Sequence, residues 1–150
     1  MLFRSFLCAC NKSNQYQGNG ILLIDNININ QEISQNFYDT KYFEPYCFCP
    51  LLIKDNKLFI NEEDNYMYET IYLLVGGFDS EESEGKIKVY KIIYSSILRS
   101  NTIKYCNDII FEDNKIFNLY EKKIFFITQS EDDGGILFFS NKNLYKFYLS

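Results

Sequence analysis

The stretch from Ile71 to Ile92 constrains the fold more than any other part of the 150-residue chain. It begins with an apolar run that ends at Gly76 and Gly77, two residues that allow a neighbouring layer to approach closely. From Ile87 to Ile92 apolar and polar side chains alternate, which is typical of a strand with one buried face. The segment between these runs, Asp79 to Gly85, is acidic and ends in glycine, as solvated loops do. The stretch therefore predicts a β-hairpin with a long acidic loop.

Fainter copies of this hairpin lie on either side of it. Gly20 to Ile27 aligns with Gly85 to Ile92 without a gap, at a shift of 85 − 20 = 65 residues. Leu144 aligns with Ile87 at a shift of 144 − 87 = 57 residues. Each unit holds roughly four short strands. Short strands separated by turns favour a sandwich, a barrel or a propeller, and the recurring four-strand unit favours the propeller.

The composition also favours strands. Hydrophobic residues make up 47% of the chain and aromatic residues 18%, which is enough for a substantial core. Ala9 is the single alanine, whereas Ile, Tyr and Phe are abundant, and this balance favours strands over helices. We predict that residues 1–150 form one all-β domain, or a fragment of a larger one. The predicted architecture is a partial β-propeller of about three four-stranded antiparallel blades, and the alternative is a β-sandwich.

Charge and hydropathy exclude two classes of partner. The net charge is −5, the pI is near 4.8 and no dense run of Lys and Arg is present, so we expect no nucleic-acid binding. No apolar run approaches the ~20 residues needed to cross a bilayer, so we expect no membrane partner. The apolar segment from Met1 to Cys8 is too short and too interrupted for a secretion signal, which favours a cytoplasmic protein.

The residue types also argue against catalysis. The chain has no histidine, which excludes mechanisms based on Ser-His, Cys-His or His-metal pairs within it. Two Cys-x-Cys pairs could supply four thiolates to zinc, but zinc sites favour two or more intervening residues. Cysteines two positions apart on a strand share one face and pack as small apolar groups. The paired carboxylates lie in loop-like sequence. We therefore predict no catalytic residue, no metal and no cofactor, with all four thiols in the core: Cys8, Cys10, Cys47 and Cys49.

Three segments resemble parts of a degenerate WD-repeat β-propeller. Leu73 to Asp79 resembles the second strand of a blade with its closing acidic residue, and Ile87 to Ile92 resembles the third, with Tyr90 where the family usually has Trp. Ile124 to Gly134 is similar to a first strand and its turn. The resemblance implies a non-catalytic scaffold for protein–protein interaction. The alternative that it implies is a non-catalytic part of a propeller enzyme whose active-site residues lie outside this chain.

The resemblance further implies where partners bind. Closed rings usually need at least about four blades, so about three blades should self-associate through open blade edges. In a WD-like blade, the loop between the second and third strands shares one face with the loop that leads into the next blade. Two such loops carry the acidic residues Asp79, Glu81, Glu82, Glu84, Glu112, Asp113 and Glu121. We expect these residues to form one negative rim that attracts a basic protein partner.

Overall fold

A computed structural model describes residues 5–10, 18–25, 34–51, 59–61, 66–95, 100–111 and 118–149. Every regular element in these residues is a β-strand, so the described part of the chain is all-β, as the composition predicted. Within the same ranges, no helix has the length and apolarity that crossing a membrane requires. The strands are β1 (Ser5–Cys10), β2 (Asn19–Asp25), β3 (Ser34–Lys41), β4 (Phe43–Pro50), β5 (Phe59–Asn61), β6 (Tyr66–Asp79), β7 (Glu84–Ser95), β8 (Ser100–Asp108), β9 (Ile124–Gln129), β10 (Ile136–Ser140) and β11 (Asn143–Phe147).

The strands form three antiparallel sheets in chain order. The N-terminal sheet has the order β1-β2-β3 and the C-terminal sheet the order β9-β10-β11. Between them in sequence, the central sheet has the order β4-β6-β7-β8, and the short strand β5 pairs with β6 beside β4. The predicted hairpin is confirmed as β6 and β7, which pair continuously from Tyr68 with Ser95 to Asp79 with Glu84.

The central sheet is buried on both faces, and its two faces line two separate hydrophobic cores. In β6, Leu73 and Val75 face the N-terminal sheet, whereas Leu74 faces the C-terminal sheet. A strand covered on both faces needs apolar residues at successive positions, which explains the unbroken apolar run. The first core consists of Ile21, Leu23, Phe43, Leu73, Val75, Tyr90, Ile92 and Ile103. The second consists of Cys49, Leu74, Ile87, Leu119, Ile124, Ile127, Ile136 and Phe138.

Gly76 and Gly77 allow the close approach that the sequence predicted. A Cβ atom at Gly76 would lie 2.7 Å from Cδ1 of Ile127 in the C-terminal sheet and 2.8 Å from Sγ of Cys47. A Cβ atom at Gly77 would collide with the backbone carbonyl oxygen of Glu44 in the paired strand β4. The first glycine therefore admits the neighbouring sheet, and the second admits the neighbouring strand.

The acidic loop is shorter than the sequence predicted. Asp79 pairs with Glu84 in the β6–β7 ladder, so the connection is a tight turn over residues 80–83. The Asp79 carboxylate closes this turn by accepting hydrogen bonds from the backbone N–H groups of Glu81 (2.9 Å) and Glu82 (3.0 Å). Aspartate commonly folds a chain in this way, which explains why an acidic stretch forms a turn instead of a long loop.

The aligned residues Ile87 and Leu144 show how the C-terminal sheet is oriented on the central sheet. Ile87 of β7 lies in the core shared with the C-terminal sheet. Its aligned residue, Leu144 of β11, lies on the opposite side of the C-terminal sheet from that core, because the next residue, Tyr145, packs against it. Both aligned residues thus point in the same direction along the stack.

The N-terminal sheet is oriented differently, because its aligned residues do not point in the same direction as those of the central sheet. Ile21 and Leu23 face the central sheet, but the residues aligned with them, Lys86 and Lys88, face the N-terminal sheet on the same side of β7 as Tyr90. Aligned residues of successive propeller blades should point the same way around the ring. The gapless alignment of Gly20–Ile27 with Gly85–Ile92 therefore joins residues that face opposite ways in the described part.

The connection between β3 and β4 is also too short to join two successive propeller blades. Only one residue, Tyr42, separates the two strands. In the blade assignment, β3 would be the outermost strand of one blade and β4 the innermost strand of the next, ~14 Å apart for strands spaced ~4.8 Å. Two residue steps cover at most ~7 Å. The end of β3 therefore lies next to the start of β4, at a corner where the chain passes from one sheet to the other.

Ser140 provides a test of the core between the central and C-terminal sheets. Its side chain is fully buried, and its Oγ has no hydrogen-bond partner among the residues described. A buried hydroxyl without a partner costs about 1–3 kcal/mol, so Ser140→Ala should raise the free energy of unfolding by about 1 kcal/mol in urea titrations. Ser80→Ala is the matched control. It removes a hydroxyl that donates to the carbonyl oxygen of Tyr42 at 2.9 Å, and should lower stability slightly. A loss of stability in Ser140→Ala would contradict the prediction.

Candidate functional site

The acidic residues at the β6–β7 turn surround one lysine. Lys86 lies near the start of β7 with its side chain only 16% exposed. Its Nζ is 2.6 Å from the Glu82 carboxylate and 3.5 Å from the Asp79 carboxylate. It is also 3.7 Å from the carboxylate of Asp108 at the end of β8 and 3.9 Å from that of Glu84. The turn is therefore not a purely negative surface, because a lysine beneath it neutralises part of its charge.

The pKa values of Lys86, Glu82 and Glu84 are shifted within this cluster. Burial opposes the charge of Lys86, but the hydrogen bond to Glu82 and the nearby Asp79 and Asp108 carboxylates outweigh burial and raise its pKa. The hydrogen bond from Lys86 lowers the pKa of Glu82, whereas burial and the neighbouring Glu82 raise the pKa of Glu84. The cluster thus holds a lysine that stays charged and acids that differ in their proton affinity.

Asp108 extends this cluster toward the N-terminal sheet. It accepts a hydrogen bond from the Tyr105 hydroxyl at 2.7 Å and lies 3.3 Å from Nζ of Lys88. Burial opposes its charge, but the Tyr105 hydrogen bond and the two lysines together lower its pKa. The Lys88 ammonium lies 5.1 Å from the centroid of the Phe43 ring and 5.3 Å from that of Tyr105, within cation–π range. These contacts hold the side chains of Lys86 and Lys88 against the central sheet, next to the β6–β7 turn.

The segment that leads into β9 lies directly against the β6–β7 turn. The backbone N–H of Glu121 donates to the carbonyl oxygen of Ser83 at 2.7 Å, and Gly85 N–H donates to the carbonyl oxygen of Leu119 at 2.8 Å. Glu84 and Tyr120 form a β-bridge between these two hydrogen bonds. The two connections therefore form one surface.

Both connections contain a residue in the left-handed region. Ser83 has φ 56° and Glu121 has φ 55°, and Lys41 and Asn141, at the turns β3–β4 and β10–β11, have similar values. Residues other than glycine adopt this conformation at a cost of about 1–2 kcal/mol. The hydrogen bond from Glu121 to Ser83 joins two such residues, so the contact between the connections holds a backbone shape that neither segment prefers alone.

The structure describes five of the seven acidic residues that the sequence proposed for partner binding. Glu81, Glu82, Glu84 and Glu121 lie together on this surface, with Glu81, Glu82 and Glu121 exposed and Glu84 partly buried, while Asp79 is turned inward beneath it. Glu112 and Asp113 lie outside the described residues. We call the set Glu81, Glu82, Glu84 and Glu121 the acidic turn surface. Its role in binding remains a prediction.

Sequence reasoning missed the basic and aromatic half of this site. Lys86 and Lys88 alternate with Ile87 and Val89, and this pattern predicted a polar face in solvent. In the structure both lysines are largely buried, Lys86 among four carboxylates and Lys88 against the rings of Phe43 and Tyr105. Asp108 gave no signal in the sequence because it lies 22 residues beyond Lys86 and reaches it through the pairing of β7 with β8.

Cys47 and Cys49 pack in the second core as protonated thiols. Burial raises the pKa of Cys47 to about 12, so its thiol stays protonated at neutral pH. The Cys47 thiol lies near two carbonyl oxygens, 3.7 Å from that of Gly76 and 3.6 Å from that of Ile124, and burial also raises the pKa of Cys49. Metal ligation requires the thiolate. No cluster of three or more metal-ligating side chains occurs in the described ranges, and the side chains of Cys8 and Cys10 lie outside them.

Removing Lys86 should destabilise the fold in a pH-dependent manner. Lys86→Met leaves the carboxylates of Asp79, Glu82 and Glu84 close together without Lys86 to compensate them, and we expect a loss of about 1–3 kcal/mol in the free energy of unfolding at pH 7. Because the pKa values of Glu82 and Asp108 are lowered in the folded protein, their stabilising effect is present above their unfolded values near ~4 and is lost as pH falls through the folded values. The loss should therefore shrink in urea titrations at progressively lower pH.

Lys142→Met is the matched control for this experiment. Lys142 is an exposed lysine at the β10–β11 turn, so its removal changes the net charge equally without disturbing the Lys86 cluster. We expect a change within about 0.5 kcal/mol at every pH. Equal losses for the two variants would show that Lys86 contributes only its net charge.

In comparisons with known proteins, no family model, no curated protein and no solved structure matches this chain.

Proposed function

We propose that this protein is a non-catalytic scaffold that binds a protein partner with a basic patch through the acidic turn surface. The observation that carries the proposal is the hydrogen bond from Glu121 N–H to the Ser83 carbonyl. It brings together acids from the β6–β7 turn and from the segment that leads into β9, at one exposed end of the central sheet. Exposed carboxylates on a rigid surface increase the rate at which an oppositely charged partner docks.

The position of the surface supports this function. It lies where strands β6 and β8 end and where β7 begins, so it is built on a sheet buried on both faces. Loops held by a rigid scaffold are common sites of recognition. Lys86 beneath the turn fixes Glu82 and Asp79 in place, which leaves Glu81 and Glu121 as the acids most available to a partner.

We further propose a propeller-type relation between the central and C-terminal sheets. Its support is the shared direction of Ile87 and Leu144, together with the residues 109–123 that separate β8 from β9. A connection of this length spans the distance from an outer strand of one blade to the inner strand of the next. The N-terminal sheet, joined to β4 through Tyr42 alone, packs on the other face as in the sandwich alternative.

The binding proposal is tested with two charge-matched variants. One carries Glu81→Gln and Glu121→Gln in the acidic turn surface. The other carries Glu131→Gln and Asp132→Asn. These two exposed acids lie in the β9–β10 turn, at the opposite end of β9 from Glu121. Each removes two negative charges and leaves the core untouched, so any difference between them reports the location of binding.

Partners are captured from cell extract at low salt and then purified for stopped-flow measurement of the association rate. We expect the acidic turn variant to reduce that rate severalfold at low ionic strength, with a smaller change in dissociation and little effect at high salt. The control variant should behave like the natural protein. If both variants associate at the same rate and elute at the same salt concentration, the acidic turn surface does not bind the partner.

A further inference from the structure

The outward face of the C-terminal sheet is apolar and exposed. Phe126 of β9 is 50% exposed, Phe139 of β10 is 44% exposed and Leu144 of β11 is 56% exposed. These residues are cross-strand neighbours, because Phe139 pairs with both Phe126 and Leu144, and the two phenylalanine rings lie 5.9 Å apart. Leu137 continues the face toward the other end of β10, where it pairs with Thr128. Contiguous exposed apolar residues of this kind mark interaction surfaces.

The corresponding face of the central sheet is covered by another sheet. In the central sheet, Gly76 of β6 pairs with Ile87 of β7 and with Cys47 of β4. Phe139 of β10 holds the equivalent position in the C-terminal sheet, because it pairs with Leu144 of β11 and with Phe126 of β9. Isoleucines of β9 pack directly onto Gly76. The two faces occupy equivalent positions in the stack, so the outward face of the C-terminal sheet has the geometry of a face that accepts a sheet.

The charges on this outward face favour a neutral apolar partner. Lys146 pairs with Leu137 and so lies on the same face, but its ammonium is 2.6 Å from the Asp133 carboxylate. The Tyr148 hydroxyl also donates to that carboxylate at 2.9 Å. The described strands therefore present an apolar centre with one neutralised ion pair at its end. Two copies of such a face can meet without bringing uncompensated like charges together, whereas a charged partner finds no complement there.

We infer that the outward face of the C-terminal sheet binds the same face of a second copy of this chain. The interface is isologous, with Phe126, Phe139 and Leu144 of one copy packed against those of the other about a two-fold axis. Two sheets packed face to face lie ~10 Å apart with their side chains interdigitated, which is how the central and C-terminal sheets already bury their facing sides. The interface residues are different from those of the acidic turn surface, so this inference rests on separate observations from the proposed function.

The test is sedimentation equilibrium of the full chain over a concentration range of about 1–100 µM, a range that covers typical homodimer affinities. The natural protein should be a dimer. Phe139→Lys and Leu144→Lys each place a new positive charge near its symmetry mate, and each should weaken dimerisation by more than about tenfold. Ile110→Lys is the matched control, because Ile110 is 83% exposed and lies just beyond the end of β8. This control should remain a dimer.

Circular dichroism and thermal unfolding show whether each variant is folded, and the substituted side chains are half exposed, so we expect intact folds. A natural protein that remains monomeric throughout this range would overturn the inference and leave the face to another protein or to a further sheet of a longer chain. A dimer that persists unchanged in both folded lysine variants would overturn it as well, because the interface would then lie elsewhere.

Discussion

Replacing Gly77 with alanine should cost about 3 kcal/mol of the free energy of unfolding. Gly77 pairs with Pro45 where β6 meets β4, and an added methyl group would meet the backbone carbonyl of Glu44. A side chain could turn away from such a contact, but a backbone carbonyl in a strand ladder cannot move without breaking the pairing. The central sheet supplies one wall of both cores, so separation of β4 from β6 would disturb both.

Urea titration of Gly77→Ala against Gly134→Ala tests this prediction. Gly134 lies in the β9–β10 turn with φ 72°, and a methyl group there would have only the Gln129 amide nitrogen nearby, at 3.9 Å. Alanine at position 134 should therefore cost only the left-handed backbone penalty of about 1 kcal/mol. A Gly77 variant as stable as the Gly134 variant would show that β4 and β6 can separate slightly at little cost.

The sequence predicted the strands of this protein better than their arrangement. Alternation and turn residues located the β6–β7 hairpin, and the paired glycines indicated the close approach at Gly76, since these signals lie within one segment. The packing of the N-terminal sheet had no such signal. Ile21 and Leu23 align with Lys86 and Lys88, yet the two pairs face each other across one core. A pattern of period two gives the buried face of a strand but not the sheet that covers it.

The candidate site shows the same limit. Sequence reasoning found the acidic residues, because their clustering is local. It overlooked the lysine among them, since the burial of a strand residue depends on which distant residues pack around it. Lys86 is separated from Asp108 by the whole length of β7 and β8, and only the antiparallel return of the chain brings them within 3.7 Å. Long-range pairing of this kind is fixed by tertiary structure and leaves little trace in a single sequence.

Replacing Phe138 with alanine should have the largest effect of any single change, with a loss of about 3–5 kcal/mol. Phe138 is fully buried in β10, and its ring centroid lies 5.0 Å from that of Tyr145 and 5.7 Å from that of Phe111. Removal of the ring leaves a cavity where the C-terminal sheet meets the central sheet. Because Phe138 links β10, β11 and the segment after β8, we expect the C-terminal sheet to detach before the rest unfolds, giving two transitions in thermal unfolding.

Phe139→Ala is a close control, since it removes the same ring from the next residue of the same strand. Phe139 faces away from the central sheet and is 44% exposed, so its loss should cost less than about 1 kcal/mol in the isolated chain. Both variants should be compared at concentrations low enough to keep the chain monomeric, because Phe139 also belongs to the inferred dimer interface. If the two variants lose equal stability under those conditions, the C-terminal sheet is not held to the central sheet through the inner face of β10.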